Sequence, residues 1–167
     1  MEIIEKSIEV NAPISTVYNQ WTQFEEFPKF MEGIEEVQQL DDKRLHWKAK
    51  IAGKTKEWDA EIVEQVPDQR IAWRSIGGTK NSGRVSFIQA DLNRTRITLQ
   101  LGYEPEGALE KTAEALGLVS GRVEGDLKRF KEFIESRGTE TGEWRGEIRG
   151  REVKPETFQE PRSKRIH

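Results

Sequence analysis

The chain has 167 residues, enough for one domain with a short extension. Charged residues make up 34% of it, and a formal charge of −3 argues against nucleic acid as a partner, because nucleic-acid binders carry a basic excess. The absence of cysteine excludes disulfides, thiolate nucleophiles and cysteine-ligated zinc. No apolar run approaches the roughly 18 residues of a membrane-spanning helix, and no signal peptide is apparent, so we expect a cytoplasmic protein without a transmembrane segment.

The N-terminal part predicts a strand followed by two short helices. Ile3 to Val10 alternates between apolar and polar side chains, which is the pattern of a half-buried strand. Asn11-Ala12-Pro13 ends this strand and starts a helix, because proline is tolerated in the first helical turn. The next apolar residues share one helical face: Val17, Tyr18, Trp21 and Phe24. The aromatic segment from Phe24 to Met31, broken by Pro28, predicts the second helix.

Residues 34 to 104 alternate with period two and predict five or six strands. Short turn motifs separate them: Asp41-Asp42, Ala52-Gly53, Pro67-Asp68 and Gly77-Gly78. On three successive strands a tryptophan lies on the face opposite the charged residues: Trp47, Trp58 and Trp73. The last strand is the clearest, with these side chains on its inner face: Thr95, Ile97, Leu99, Leu101 and Tyr103. Links of hairpin length predict an antiparallel sheet with one solvated face.

Ala108 to Arg137 is the only stretch long enough to span the domain as one helix. Its apolar residues recur every three or four positions: Leu109, Ala113, Leu116, Val123, Leu127, Phe130 and Ile134. Three glycines run beside this apolar stripe: Gly117, Gly121 and Gly125. Each costs the helix up to about 1 kcal/mol relative to alanine. Two explanations remain open: a neighbouring segment approaches closely or the helix bends near Gly117, or the helix moves to admit a ligand.

Beyond residue 137 the composition changes. Residues 138–167 are rich in charge and glycine and carry few large apolar side chains, so they form a tail distinct from the domain of residues 1–137. We expect this tail to be flexible or loosely docked. Trp144 has three possible roles: it anchors the tail on the domain, it lies in a disordered segment, or it offers a partner a linear motif.

The order of elements predicts an α+β fold, in which a curved antiparallel sheet wraps around one long C-terminal helix, with two short helices after the first strand. Motifs along residues 2–137 carry a family resemblance: Ala12-Pro13, Trp21 with Phe24, Phe27-Pro28, Phe30-Met31, Trp58, Trp73-Arg74-Ser75, Gly83 with Val85 and Phe87, Tyr103-Glu104-Pro105, Asp126-Leu127 and Arg129-Phe130-Lys131. With these motifs the sequence resembles the START-like (SRPBCC) superfamily, in its polyketide cyclase/dehydrase and coenzyme-Q-binding branch. The resemblance implies a helix-grip fold with a hydrophobic cavity between sheet and long helix. Members bind lipids, isoprenoids, sterols or polyketides, and a minority catalyse cyclisation or dehydration.

The sequence offers little catalytic chemistry. Strand parity places His46 on the solvated face, and His167 is the last residue, so neither is a credible base or metal ligand. The carboxylates that alternate with inward residues point to water: Glu57, Asp59 and Glu61. Gly77-Gly78 lacks the lysine and helix of a phosphate-binding loop. We therefore predict no catalytic residue, no metal and no cofactor.

The candidate ligand-binding residues lie on the inner face of the sheet and on the long helix: Trp47, Trp58, Trp73, Ser75, Phe87, Leu99, Leu101, Tyr103, Leu116 and Val123. The tryptophans could equally fill a solid core. The predicted function is binding or transport of a hydrophobic small molecule, such as a lipid, an isoprenoid quinone or a polyketide-like compound. One alternative is a polyketide cyclase or dehydrase, for which Tyr103 is the only inward titratable group that strand parity suggests. Another is a protein-interaction module acting through the C-terminal tail; the oligomeric state stays open.

Overall fold

The computed structural model describes residues 2–51, 53–104 and 112–155, which form one antiparallel sheet with helices on its inner face. Its strands are β1 (Glu2–Val10), β2 (Ile34–Gln39), β3 (Arg44–Ile51), β4 (Lys54–Val66), β5 (Arg70–Gly78), β6 (Asn81–Asp91), β7 (Arg94–Tyr103), β8 (Glu147–Arg149) and β9 (Glu152–Lys154). Its helices are α1 (Ile14–Trp21), a 3₁₀ helix (Phe24–Lys29) and α2 (Ala113–Arg137).

Seven strands are hydrogen-bonded in the order β1-β7-β6-β5-β4-β3-β2, with every neighbouring pair antiparallel. The first strand pairs with the last of this run, so that Ile8 lies opposite Ile97. The 13-residue strand β4 extends past β3, and its Glu64 pairs with Arg149 of β8. This architecture confirms the predicted α+β helix-grip fold, a curved sheet that holds one long helix.

Strand parity assigns the faces of the sheet correctly. Trp47 lies opposite Trp58 across β3 and β4, and both side chains are buried on the inner face. On the outer face the ring nitrogens of His46 bond to Asp59 Oδ1 at 2.7 Å and Glu57 Oε1 at 3.2 Å. The hydrogen bond with Asp59, followed by that with Glu57, raises the pKa of His46 above its ordinary value. As predicted, His46 lies away from the interior.

Aromatic residues of α1 and the 3₁₀ helix form a tightly packed cluster against α2. The ring centroid of Trp21 lies 5.2 Å from that of Phe27, 5.6 Å from that of Phe30 and 5.0 Å from that of Phe130. Trp21 is only 1% exposed. These contacts fix the C-terminal half of α2 on the sheet, while both short helices occur where the sequence predicts them.

The long helix starts later than predicted. Thr112 has an extended backbone (φ −69°, ψ 153°), and its hydroxyl accepts a hydrogen bond from the backbone N–H of Ala115 at 3.1 Å. This is an N-cap, which satisfies an otherwise unpaired donor of the first turn. The predicted start at Ala108 is therefore wrong, because the apolar period hid the capping threonine; Ala108 and Leu109 themselves lie outside the described residues. The helix ends at Gly138, whose φ of 77° suits glycine.

Two of the helix glycines have open space around them. A Cβ added at Gly117 or Gly121 would meet no heavy atom within 4 Å, and one at Gly125 would meet only the Arg129 guanidinium, at 3.1 Å. Close approach of a neighbouring segment therefore does not explain Gly117 or Gly121. The alternative, that the helix moves to admit a ligand, stays a prediction.

Replacing Gly121 by alanine should raise the free energy of unfolding by up to about 1 kcal/mol, because alanine favours the helix and meets no obstacle here. The matched control is Gly138→Ala, which should lower it by about 1 kcal/mol, since φ there is positive. Urea denaturation measures both changes. A loss of stability in Gly121→Ala would contradict the open environment.

The first half of the predicted tail contacts the domain. Trp144 donates its backbone N–H to Thr22 Oγ1 at 3.0 Å, and its side chain packs against the core. Arg145 donates to Asn19 Oδ1 at 2.6 Å and forms an ion pair with Asp68 at 2.9 Å. The β8–β9 hairpin then extends the sheet from β4. Residues 156–167 lie outside the described residues.

Candidate functional site

A cavity of about 510 Å³ lies between the inner face of the sheet and α2. We call its lining residues the cavity wall. The described wall residues come from the loop before β2, from strands β2 to β7 with the residues that flank them, and from α2: Met31, Glu32, Gly33, Ile34, Trp47, Ala49, Lys56, Trp58, Trp73, Thr79, Asn81, Ser82, Leu99, Leu101, Gly102, Tyr103, Glu104, Ala115, Leu118, Val119, Gly121, Arg122, Val123 and Asp126. Leu118, at 71% exposure, is an apolar wall residue that remains largely open to solvent.

Three stacked indoles form one side of the wall. The ring centroid of Trp47 lies 5.9 Å from that of Trp58, with planes inclined by 8°, and 5.8 Å from that of Trp73, inclined by 21°. Neighbouring strands place these rings side by side, because Trp47 lies directly opposite Trp58 in the β3–β4 register. The Nε1 atoms of Trp47 and Trp58 are buried and accept no partner among the described residues. Such unpaired donors favour a ligand that carries an acceptor.

Gly83 makes room for the third indole. It lies opposite Trp73 in the β5–β6 register, and a Cβ added to it would lie 2.3 Å from the Trp73 ring. Such a distance is far inside van der Waals contact, so any larger residue would displace the ring. Gly83 thereby determines where this part of the wall lies.

Gly83→Ala should lower the free energy of unfolding by about 1–3 kcal/mol, because the added methyl group overpacks the Trp73 ring. The control is Gly77→Ala on β5, where an added Cβ meets nothing within 4 Å. We expect that variant to differ little from wild type in the same urea titration. Equal stability of both variants would show that Trp73 can shift freely.

Seven of the ten candidate residues belong to the cavity wall: Trp47, Trp58, Trp73, Leu99, Leu101, Tyr103 and Val123. The structure places the other three elsewhere. Ser75 Oγ accepts a hydrogen bond from the backbone N–H of Asn81 at 3.0 Å, and Phe87 packs edge-on against Tyr18 at 5.3 Å. Leu116 is half-buried on α2. Parity gives the face of a strand but not the position along it, so Phe87 lies on the inner face under α1. The binding role of all ten stays a prediction.

Asp126 is a wall residue that the sequence interpretation missed. It lies on α2 between Val123 and Phe130, on the buried face, and is 8% exposed. Burial raises the pKa of its carboxyl to about 6, although hydrogen bonds from Arg129 and the Glu32 backbone lower it. Tyr103 is thus not the only inward titratable group. The signal was its spacing of three residues from Val123 and four from Phe130, which strand parity does not test.

Side chains of α2 hold the loop before β2 in place. Arg129 Nε donates to the carbonyl of Phe30 at 3.0 Å, and its Nη1 lies 3.5 Å from Glu32 Oε2. One turn away, Arg122 donates to the carbonyl of Lys50 at 3.1 Å. Both arginines therefore tie the helix to this side of the cavity and leave part of the wall polar.

Within the described residues, no group of histidine and carboxylate side chains could hold a metal ion. No helix in that part of the chain is long and apolar enough to cross a membrane.

Comparison with known proteins identifies the family. The model of the family "polyketide cyclase / dehydrase and lipid transport" matches residues 10–132. The chain belongs to this family. An uncharacterised 17.2 kDa protein of Streptomyces lincolnensis is 48% identical over 149 residues, which cover 89% of this chain and 99% of the relative.

Solved structures show the same fold in the polyketide cyclase family and beyond it. A START superfamily protein of Mycobacterium smegmatis aligns with a TM-score of 0.62 at 18% identity, over 81% of this chain and 95% of its own. The aromatase/cyclase ZhuI of Streptomyces sp. R1128 aligns with a TM-score of 0.67 at 19% identity, over 82% and 95%. The resemblance to the START-like superfamily is confirmed.

Proposed function

We propose that the protein binds or carries a hydrophobic small molecule, such as a lipid, an isoprenoid quinone or a polyketide-like compound, in the cavity between the sheet and α2. The observation that carries the proposal is the cavity of about 510 Å³ with its wall of stacked indoles. This volume lies within the range of roughly 300–1,000 Å³ typical of small-molecule sites. Membership of a family described by polyketide chemistry and lipid transport supports the same conclusion.

The composition of the wall fits such a ligand. Trp58, Leu99 and Leu101 supply apolar surface that gains free energy when a ligand displaces water from it. A few polar groups, such as the indole N–H of Trp47 and the Asp126 carboxylate, can orient the ligand. A mainly apolar wall with few polar groups favours molecules with a large hydrophobic body.

Native mass spectrometry of protein purified from its source organism tests this proposal. We expect an additional mass of a hydrophobic small molecule, which organic extraction removes and identifies. Protein that carries no such molecule, and that also fails to bind 2-methoxynaphthalene in calorimetric titration, would contradict the proposal.

A second candidate function is a cyclase or dehydrase that acts on a polyketide-like substrate. The observation in its favour is Asp126, a titratable carboxyl in the cavity wall with a pKa near neutrality. Acid–base catalysis needs such a group within reach of the substrate. Incubation with a poly-β-ketone mimic should then yield a cyclised or dehydrated product with the wild type but not with Asp126→Asn. Equal yields from both would exclude this role for Asp126.

A further inference from the structure

Asp126 is the only buried carboxylate among the described wall residues. Its Oδ1 atom accepts two hydrogen bonds, one from the backbone N–H of Glu32 at 2.9 Å and one from the Arg129 guanidinium. Two donors on a single oxygen fix the orientation of the carboxylate. The Oδ2 atom accepts no hydrogen bond from a described residue, and 11% of the side chain remains accessible. Oδ2 is therefore the part of the carboxylate that a ligand in the cavity can reach.

We propose that Asp126 Oδ2 accepts a hydrogen bond from a hydroxyl or phenol of the ligand, so that the cavity selects neutral, donor-bearing hydrophobic molecules over carboxylates. This inference rests on the proposed binding function and names its ligand class. A carboxylate can only accept hydrogen bonds, so a donor on the ligand is its natural complement. A ligand carboxylate at the same place would meet a like charge.

The charged surroundings do not turn this part of the cavity into an anion site. The charged wall residues, with Arg129 beside them, are three cations and three carboxylates: Lys56, Arg122, Arg129, Glu32, Glu104 and Asp126. The Arg129 guanidinium already contacts Asp126, Glu32 and the carbonyl of Phe30. Arg122 donates to the carbonyl of Lys50. The local charges balance, so the free acceptor on Asp126 determines the preference.

Three probes of one shape separate these ligand classes: 2-naphthol carries a donor, 2-methoxynaphthalene carries none, and 2-naphthoate carries a carboxylate. In isothermal titration with the wild type, we expect 2-naphthol to bind most tightly. In Asp126→Asn, Glu32 and Arg129 still donate to the amide oxygen, which turns the amide N–H₂ toward the ligand. The affinity for 2-naphthol should then fall roughly tenfold or more, that for 2-methoxynaphthalene should stay unchanged, and that for 2-naphthoate should rise.

A pH series on the wild type tests the same anchor without a substitution. The affinity for 2-naphthol should fall as the pH drops through about 6, where Asp126 becomes protonated, while that for 2-methoxynaphthalene stays constant. The neighbouring arginines keep their charge over this range, and Glu32 lies beside both probes alike.

The outcomes separate this inference from the proposed function. If the three probes bind with equal affinity, and neither Asp126→Asn nor pH changes their ranking, the anchor is wrong but cavity binding stands. If no probe binds to the wild type, both the anchor and the proposed function are wrong. A folded Asp126→Asn variant that loses all three probes equally would also overturn the anchor, because the effect would then be structural.

Discussion

Replacing Trp21 by alanine should lower the free energy of unfolding by about 3–5 kcal/mol, whereas Trp58→Ala should cost only about 1–2 kcal/mol. Trp21 is surrounded by Phe27, Phe30 and Phe130 at centroid distances of 5.0 to 5.6 Å. Its removal leaves a cavity inside solid packing. Trp58 stacks on Trp47 and borders the existing cavity, so it loses fewer contacts.

Urea denaturation of both variants measures this difference, with intrinsic fluorescence of the remaining tryptophans as the probe. The two substitutions remove the same atoms, so each serves as the control for the other. Equal losses of stability would indicate that the indoles of the wall are packed as solidly as Trp21, and would contradict the cavity.

Val119→Trp should abolish the binding of 2-methoxynaphthalene while the protein stays folded. Val119 belongs to the wall and lies one helical turn before the buried Val123, so a larger side chain there enters the cavity. An indole fills much of the space that a two-ring probe needs. The reduction in apolar surface open to water should keep the change in unfolding free energy below about 3 kcal/mol, the usual limit for overpacking.

The control for this variant is Lys128→Trp, which places an indole on the solvent side of the same helix. The Lys128 side chain is 67% exposed and contacts only Glu124 in an ion pair. Calorimetric titration should show wild-type affinity in Lys128→Trp. Undiminished binding in Val119→Trp would place the ligand outside the cavity.

The strands and the inner face of the sheet could be predicted because burial imposes a period of two. In β7 every second residue is apolar or partly buried, and the register with β1 follows this alternation, as Ile8 opposite Ile97 shows. The same reasoning placed Trp47, Trp58 and Trp73 on one face. It could not separate cavity from solid core, because both lie on that face.

Features that depend on contacts distant in sequence could not be predicted. Asp126 reads as one of many helix carboxylates, and only its contacts with the Glu32 backbone and Arg129 explain its burial. The β8–β9 hairpin consists of two three-residue strands that form because β4 extends past β3. Its short strands carry too little periodic signal.

Intermolecular NOEs between bound 2-methoxynaphthalene and assigned methyl groups test the central claim most directly. The account predicts NOEs to Leu99, Leu101 and Val123, which belong to the cavity wall. NOEs to the exposed Ile88 and Leu92 instead, or no NOEs to any wall methyl group, would contradict a ligand site between the sheet and α2.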